Sequence, residues 1–223
     1  MAPPRKAQRN SIDKGNSMQK QIFYIGDPMC SWCYGFTNVI QRIRKDFKER
    51  ATITLVMGGL RPDGTHVVDD AYRNFLREHW SEIGERTKQP FDLSILNKTG
   101  WIYDTEKACR AVVVMRILKP DVEWEFFAAA QEGFYHYNHN PNSPASFARI
   151  AERFDIGEAA FLEAYKDEEI IRATRADFEW ARSVGVNSFP TVLVRDVRGT
   201  RALTIGYKPF EQLVGPLESW LNS

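Results

Sequence analysis

The sequence predicts an α/β fold in which a βαβ unit and a ββα unit are separated by a long helical stretch. Three observations carry that prediction. Short apolar, β-branched runs closed by turn residues lie towards the two ends of the 223-residue chain. The segment between them shows helical spacing throughout. The first strand also runs into a helix through the turn GDPMCSWCYGF, which holds two of the three cysteines.

QIFYIGD is rich in aromatic and β-branched residues and ends at Gly26, Asp27 and Pro28, which marks a buried strand followed by a turn. From Ser31 the period changes. Phe36, Val39, Ile40, Ile43 and Phe47 recur at three- and four-residue steps, with Arg44, Lys45 and Lys48 towards the end, as expected of an amphipathic helix whose cations face its negative terminus. TITLVMGGL is a second strand closing on glycines. Helices are expected over Asp69 to Ile83, Thr105 to Leu118, Val122 to Tyr137 and Pro144 to Phe154, then in EAAFLEAYKD and EEIIRATRADFEWARSV. PTVLVR and RALTIGY, joined by RGT, form a β-hairpin. PFEQLVGPLESWLN closes the chain as a helix with Phe210, Leu213, Leu217, Trp220 and Leu221 on one face, and Pro216 is expected to kink or interrupt it.

Composition narrows the function. A hydrophobic content of 43 % with 13 % aromatics is enough for an ordinary core. Thirty Lys and Arg against twenty-nine Asp and Glu leave a net charge of +1, so no overall field favours nucleic acid or an anionic membrane. Residues 1–20 are basic and polar with little to bury, and a disordered tail is expected there. They lack the apolar core of a secretory signal, and no stretch approaches the roughly 18 apolar residues of a spanning helix. Three cysteines are too few for a disulfide framework. A cytoplasmic protein is expected.

The pair Cys30 and Cys33 admits three readings: a redox dithiol, half of a metal clip, or two structural thiols. At a helix N-terminus a thiolate is favoured, and a cysteine three residues on lies on the same side, within bridging distance. Cys30 then attacks or is attacked, and Cys33 resolves the mixed disulfide. A structural zinc site wants four Cys or His ligands, usually as two spaced pairs. Here there is no second CxxC; Cys109 stands alone, and His66, His79, His136 and His139 lie elsewhere. Cys109, on the helix TEKACRAVVVMRIL, is expected to be a core residue rather than a regulatory thiol.

YIGDPMCSWCYGF, MGGLRP, DTEKACRAVV, VNSFPTVLV and IGY together resemble the DsbA-like thiol–disulfide oxidoreductases of the thioredoxin superfamily, and within them the cytoplasmic predicted protein-disulfide isomerase branch with a C-x-W-C centre. The resemblance spans about residues 21–220. It implies a thioredoxin-like fold with a large inserted helical domain. Residues 21–62 and 184–223 would form the thioredoxin-like part and 63–183 the insertion. It also implies a cis-proline facing the disulfide, matched by Pro190, with the backbone of Phe189 free to pair with an extended substrate.

Ser31 and Trp32 stand where DsbA itself has Pro and His, so a strong oxidant is not implied. Trp32 either offers substrate a flat apolar surface or is plain packing. Tyr24 occupies the place, six residues before the first cysteine, where some thioredoxin-like proteins carry a buried acid. Asp27 is the nearest carboxylate, as a turn-former or as a proton relay to Cys33. The expected substrates are disulfide- or thiol-containing proteins or small molecules. No bound cofactor or metal is expected, with glutathione as a candidate thiol co-substrate. Two other functions compete: a glutathione-dependent isomerase or transferase of the kappa-class or hydroxychromene-carboxylate type, and a non-catalytic peptide-binding module.

Overall fold

The computed structural model describes residues 20–223, so all but the last residue of the expected tail lies outside the described residues. Lys20, that last residue, donates through Nζ to the carbonyls of Trp220, Leu221 and Ser223 at 2.6–2.9 Å, tying the entry of the first strand to the end of the last helix.

Four strands form one mixed sheet in the order β2-β1-β3-β4: β1 (Gln21–Gly26), β2 (Thr52–Met57), β3 (Thr191–Asp196) and β4 (Gly199–Ile205). β1 runs parallel to β2 and antiparallel to β3, with Tyr24 opposite Leu55 on one side and Val192 on the other. Alternation along β1 divides the core in two. Ile22 and Tyr24 join the main apolar cluster, whereas Phe23 and Ile25 pack with Val56, Ala181, Val186 and Leu193 on the opposite face.

The expected elements are present, with shifted ends. α1 (Ser31–Gly35) and α2 (Thr37–Phe47) replace the single helix expected after the turn. They part at Phe36, whose N–H is shared between the carbonyls of Trp32 and Cys33, while Thr37 Oγ1 lies 2.8 Å from Gln131 Oε1. A shared bond of this kind tightens the turn and bends the helix. α3 (Asp70–Thr87) starts on an Asp69 cap, continues a turn beyond Ile83 and is followed by α4 (Glu106–Leu118), α5 (Glu123–Tyr135), α6 (Pro144–Glu152), α7 (Glu158–Tyr165) and α8 (Glu168–Ser183), all inserted between β2 and β3.

The last helix, α9 (Phe210–Leu221), corrects one expectation: it runs through Pro216 without interruption. Gln212 and Pro216 both face solvent, so water can take the carbonyl that Pro216 leaves unbonded, while buried Leu213, Leu217 and Trp220 hold the inner face. α2 and α9 cover one face of the sheet and α8 the other. The core is continuous from the sheet into the helical block, where fully buried Trp80 packs edge-on to Phe134 and Tyr135.

Among the described residues, no helix is long and apolar enough to cross a membrane.

Candidate active site

Cys30 caps α1 at the exit of the β1 turn, with its backbone N–H donating to Asp27 O at 3.1 Å. It is a free thiol, 5 % exposed, and its Sγ donates to the carbonyl of Phe189 at 3.6 Å. The side chain takes no hydrogen bond from the first turn of the helix, and that helix is only five residues long. Cys33, also a free thiol, is fully buried one turn behind. Its pKa is pushed well above the ordinary thiol value by burial first, then by a hydrogen bond with Cys30. A nearly buried sulfur that lines a cavity, in front of a fully buried, protonated one, suits attack by the first and later resolution by the second.

The turn that presents Cys30 is fixed from below. Tyr103 and Tyr135, both buried, donate their hydroxyls to the carbonyl of Met29. Asp27, fully buried, accepts from Met29 N at 2.8 Å and Leu60 N at 2.7 Å. Its Oδ2 also accepts the thiol of Cys109 at 3.4 Å. The turn-forming role of Asp27 is therefore visible, and Cys109 is a core residue that touches it. The second glycine after β2, Gly59, has φ +66°, a conformation that disfavours other residues. Gly58 has no room for a side chain, since a Cβ there would lie 2.3 Å from the Phe189 ring.

Burial raises the Asp27 pKa above the ordinary 3.8, against the lowering effect of the hydrogen bonds from Leu60 and Met29. The stability linkage follows in sign: a carboxyl raised in the fold favours folding fully below its unfolded pKa, and that contribution is lost as pH rises through the folded value. Asp27→Asn cannot ionise. Its unfolding free energy, from urea curves taken from about pH 4 to 8, is expected to fall less with rising pH than that of the wild type. Parallel profiles would show that the carboxyl is not raised.

The Phe189–Pro190 peptide bond is cis, and Pro190 is buried at the start of β3. Trp32 is half-buried. Its ring meets His79 edge-on at 6.0 Å and Tyr207 at 5.7 Å, with the Arg86 guanidinium 5.4 Å from its centroid. Packing and exposure both apply to it, because Trp32 also lines a cavity of about 350 Å³ together with Cys30, Phe189, Leu60, Arg61 and Phe75. A larger cleft, about 530 Å³ and bordered by Gln41, Arg44, Lys48 and Trp124, has no cysteine in its lining.

Residues 22–218 match the family described as the DSBA-like thioredoxin domain. The chain belongs to that family. It has the fold of the DsbA-like thiol–disulfide oxidoreductases, a thioredoxin-like fold carrying a helical insertion. A candidate protein disulfide isomerase from Nitrosomonas europaea superposes with a TM-score of 0.85 at 32 % identity, covering 92 % of this chain and 98 % of that one. The cytosolic disulfide reductase DsbM from Pseudomonas aeruginosa, solved with GSH, gives a TM-score of 0.74 at 20 % identity over 91 % and 100 % of the two chains. The oxidoreductase DsbA from Xylella fastidiosa gives 0.60 at 14 % identity over 92 % and 85 %. No curated protein matches the chain in sequence.

Within this family fold, the structure gathers Cys30, Cys33, Trp32, Phe189, Pro190 and Asp27 at one junction of sheet and helices. Tyr24 lies beneath them. Its hydroxyl is buried without a hydrogen-bond partner, and burial followed by the proximity of Cys33 pushes its pKa well up, so it is a neutral phenol there. Tyr103 and Tyr135 have no local sequence signal, because they reach Met29 only through tertiary packing. Arg61, by contrast, sits inside the MGGLRP segment. Among the described residues, no group of three or more His, Cys, Asp or Glu side chains is placed to hold a metal ion.

Proposed function

We propose that this protein exchanges disulfides with protein or small-thiol substrates through the dithiol of its CSWC segment, and that it is able to isomerise as well as reduce or form them. Cys30 is the nucleophile and Cys33 the resolving thiol. Trp32, Phe189 and Pro190 form the substrate surface, with the Phe189 backbone offered to an extended chain.

In the reducing direction the Cys30 thiolate attacks one sulfur of the substrate disulfide, the S–S bond breaks, and the departing thiolate takes up a proton. Cys33 then gives up its proton and attacks Cys30, which releases the second substrate thiol and leaves a Cys30–Cys33 disulfide. Asp27 is the group proposed to take the Cys33 proton, since it is a fully buried carboxyl in the same turn and burial raises its affinity for a proton. Two molecules of a small thiol restore the dithiol, the first forming a mixed disulfide that the second cleaves so that both leave as one disulfide, and glutathione is proposed in that role. The Pseudomonas aeruginosa neighbour, described as a cytosolic disulfide reductase solved with GSH, supports both that co-substrate and a cytoplasmic setting.

The reading rests on one observation: a sulfur at the rim of a cavity, facing the carbonyl of a cis-proline segment, with a second sulfur buried behind it. The intact second cysteine also argues against the transferase alternative. Replacing Cys33 by alanine tests the reading. With glutathione disulfide or oxidised insulin, the variant is expected to accumulate a mixed disulfide on Cys30 that dithiothreitol reverses, seen as a mass shift on the intact protein. A folded Cys33→Ala protein that forms no adduct with either would overturn it.

A further inference from the structure

We propose that Arg61 forms a carboxylate-binding subsite beside Cys30, so that the protein prefers disulfides carrying a negative charge on the arm next to the attacked sulfur. The inference rests on the dithiol exchange proposed above and adds the class of substrate.

Arg61 lines the same cavity as Cys30 and Trp32. Its backbone is fixed on both sides by Thr105: the Arg61 N–H donates to Thr105 Oγ1 and the Arg61 carbonyl accepts from Thr105 N, each at 3.0 Å. The guanidinium lies across two aromatic rings, 5.0 Å from the centroid of Tyr72 and 5.5 Å from that of Tyr103. Stacking of this kind holds the planar fork in place while leaving its edge N–H groups to bind.

Those groups are free among the described residues. Nearby arginines are each matched to an acid: Arg73 to Asp70, Arg110 to Glu106, and Arg175 to Asp63. Arg61 has no carboxylate within 4.0 Å. No Asp or Glu lines the cavity either; Glu78, Glu82 and Glu85 of α3 lie outside its lining. Ser31, His79, Asn187 and Ser188 add polar groups to the lining, while Leu60, 42 % exposed, and Phe75, 53 % exposed, supply an apolar wall suited to the methylene arm between a sulfur and a carboxylate. Arg86 stacks on Trp32 and Tyr207 and, among the described residues, also has no ion pair, so a second unmatched cation stands beside that indole although the whole chain is nearly neutral.

The exchange is balanced as before: dithiol protein and one disulfide give disulfide protein and two thiols. Arg61 holds the carboxylate of the arm that stays on Cys30 in the mixed disulfide, and no further oxidant or reductant enters a single turnover.

The test uses the full chain, reduced and then freed of reductant, in single turnovers with three small disulfides of similar size: dithiodipropionate, a dianion; hydroxyethyl disulfide, neutral; and cystamine, a dication. A parallel arm uses cystine-bridged peptides with Asp or Asn beside the cysteine. Reaction is stopped by acid and alkylation. The wild type is expected to react with the dianion about tenfold faster than with the dication, the size of effect one charge-assisted contact gives. Arg61→Ala lowers that ratio about fivefold to tenfold, Arg61→Lys keeps most of it, and Arg61→Glu inverts it. Added salt erodes the wild-type preference more than that of Arg61→Ala.

A charge preference only among the small disulfides assigns the subsite to a thiol acid, and one only among the peptides assigns it to an acidic peptide; either supports it. Equal wild-type rates for all members, or ratios unmoved in Arg61→Ala and Arg61→Glu, overturn it while leaving the oxidoreductase reading standing. A wild-type protein inert to every disulfide overturns both.

Discussion

Cys30→Ser is expected to return dithiothreitol-driven insulin reduction to the uncatalysed rate, a loss of at least about a thousandfold in the catalysed component. A serine hydroxyl at this place is close to the thiol in size but far too weakly acidic to form the attacking anion at neutral pH, and neither neighbouring cysteine can substitute for it. Cys33 is fully buried, with its thiol held protonated, and Cys109 is buried against Asp27. The measurement is insulin turbidity with time at matched protein concentration, with circular dichroism as the check on folding. Residual activity above about a tenth of wild type would mean that another group is the nucleophile.

Arg116→Met is expected to destabilise the fold by about 3–5 kcal/mol, the range for breaking a buried ion network from one side. Arg116 on α4 binds Asp177 of α8 through both Nη atoms at 3.1 and 2.8 Å, Glu123 through Nε at 2.6 Å, and the carbonyl of Leu55 on β2 at 3.1 Å. Asp177 in turn accepts from Met57 N at 2.8 Å. The network thus ties α4, α5 and α8 to the backbone of β2 through one guanidinium. The three side chains are only 25 %, 17 % and 12 % exposed, so solvent cannot replace the lost partner.

Burial opposes the charge of Arg116, and Asp177 and Glu123 more than offset it, keeping the guanidinium pKa above its usual value. Glu123 points the other way: burial raises its pKa despite Arg116. Loss of Arg116 removes the largest influence that lowers the Glu123 pKa, so that carboxyl is expected to move further up, which limits the cost of stranding it. In urea unfolding, the triple variant Arg116→Met, Glu123→Gln, Asp177→Asn is expected to recover at least about 1 kcal/mol of the single variant's loss, because neutral partners need no counter-charge and the substituted amide oxygen still accepts from Met57 N. A loss below about 1 kcal/mol in Arg116→Met would show the network to be dispensable.

Much of this architecture is legible in the sequence because it depends on local periodicity. The continuous apolar, β-branched runs in QIFYIG and PTVLVR, and three- and four-residue spacing through the middle of the chain, specify which elements form. Element ends are less legible. The helix after the cysteines breaks at Phe36, beside the point where Thr37 meets Gln131, 94 positions away. Pro216 stays inside α9 because its exposed side leaves the unbonded carbonyl to water. Neither is legible in a local window.

The active-site chemistry divides along the same line. The CSWC spacing by itself determined that two sulfurs lie one helical turn apart, and the SFPT segment determined where a proline would enter the second half of the sheet, since both follow from backbone geometry over a few residues. Only the tertiary structure decided how those sulfurs differ, with one at a cavity rim against Phe189 and the other sealed beneath it. It also decided which residues support them: Asp27 clamped between two backbone amides, Tyr103 and Tyr135 on Met29, and an unpaired Arg61 beside them. The reason is that burial and charge pairing are sums over neighbours brought in from distant parts of the chain, and those sums exist only once the chain has folded.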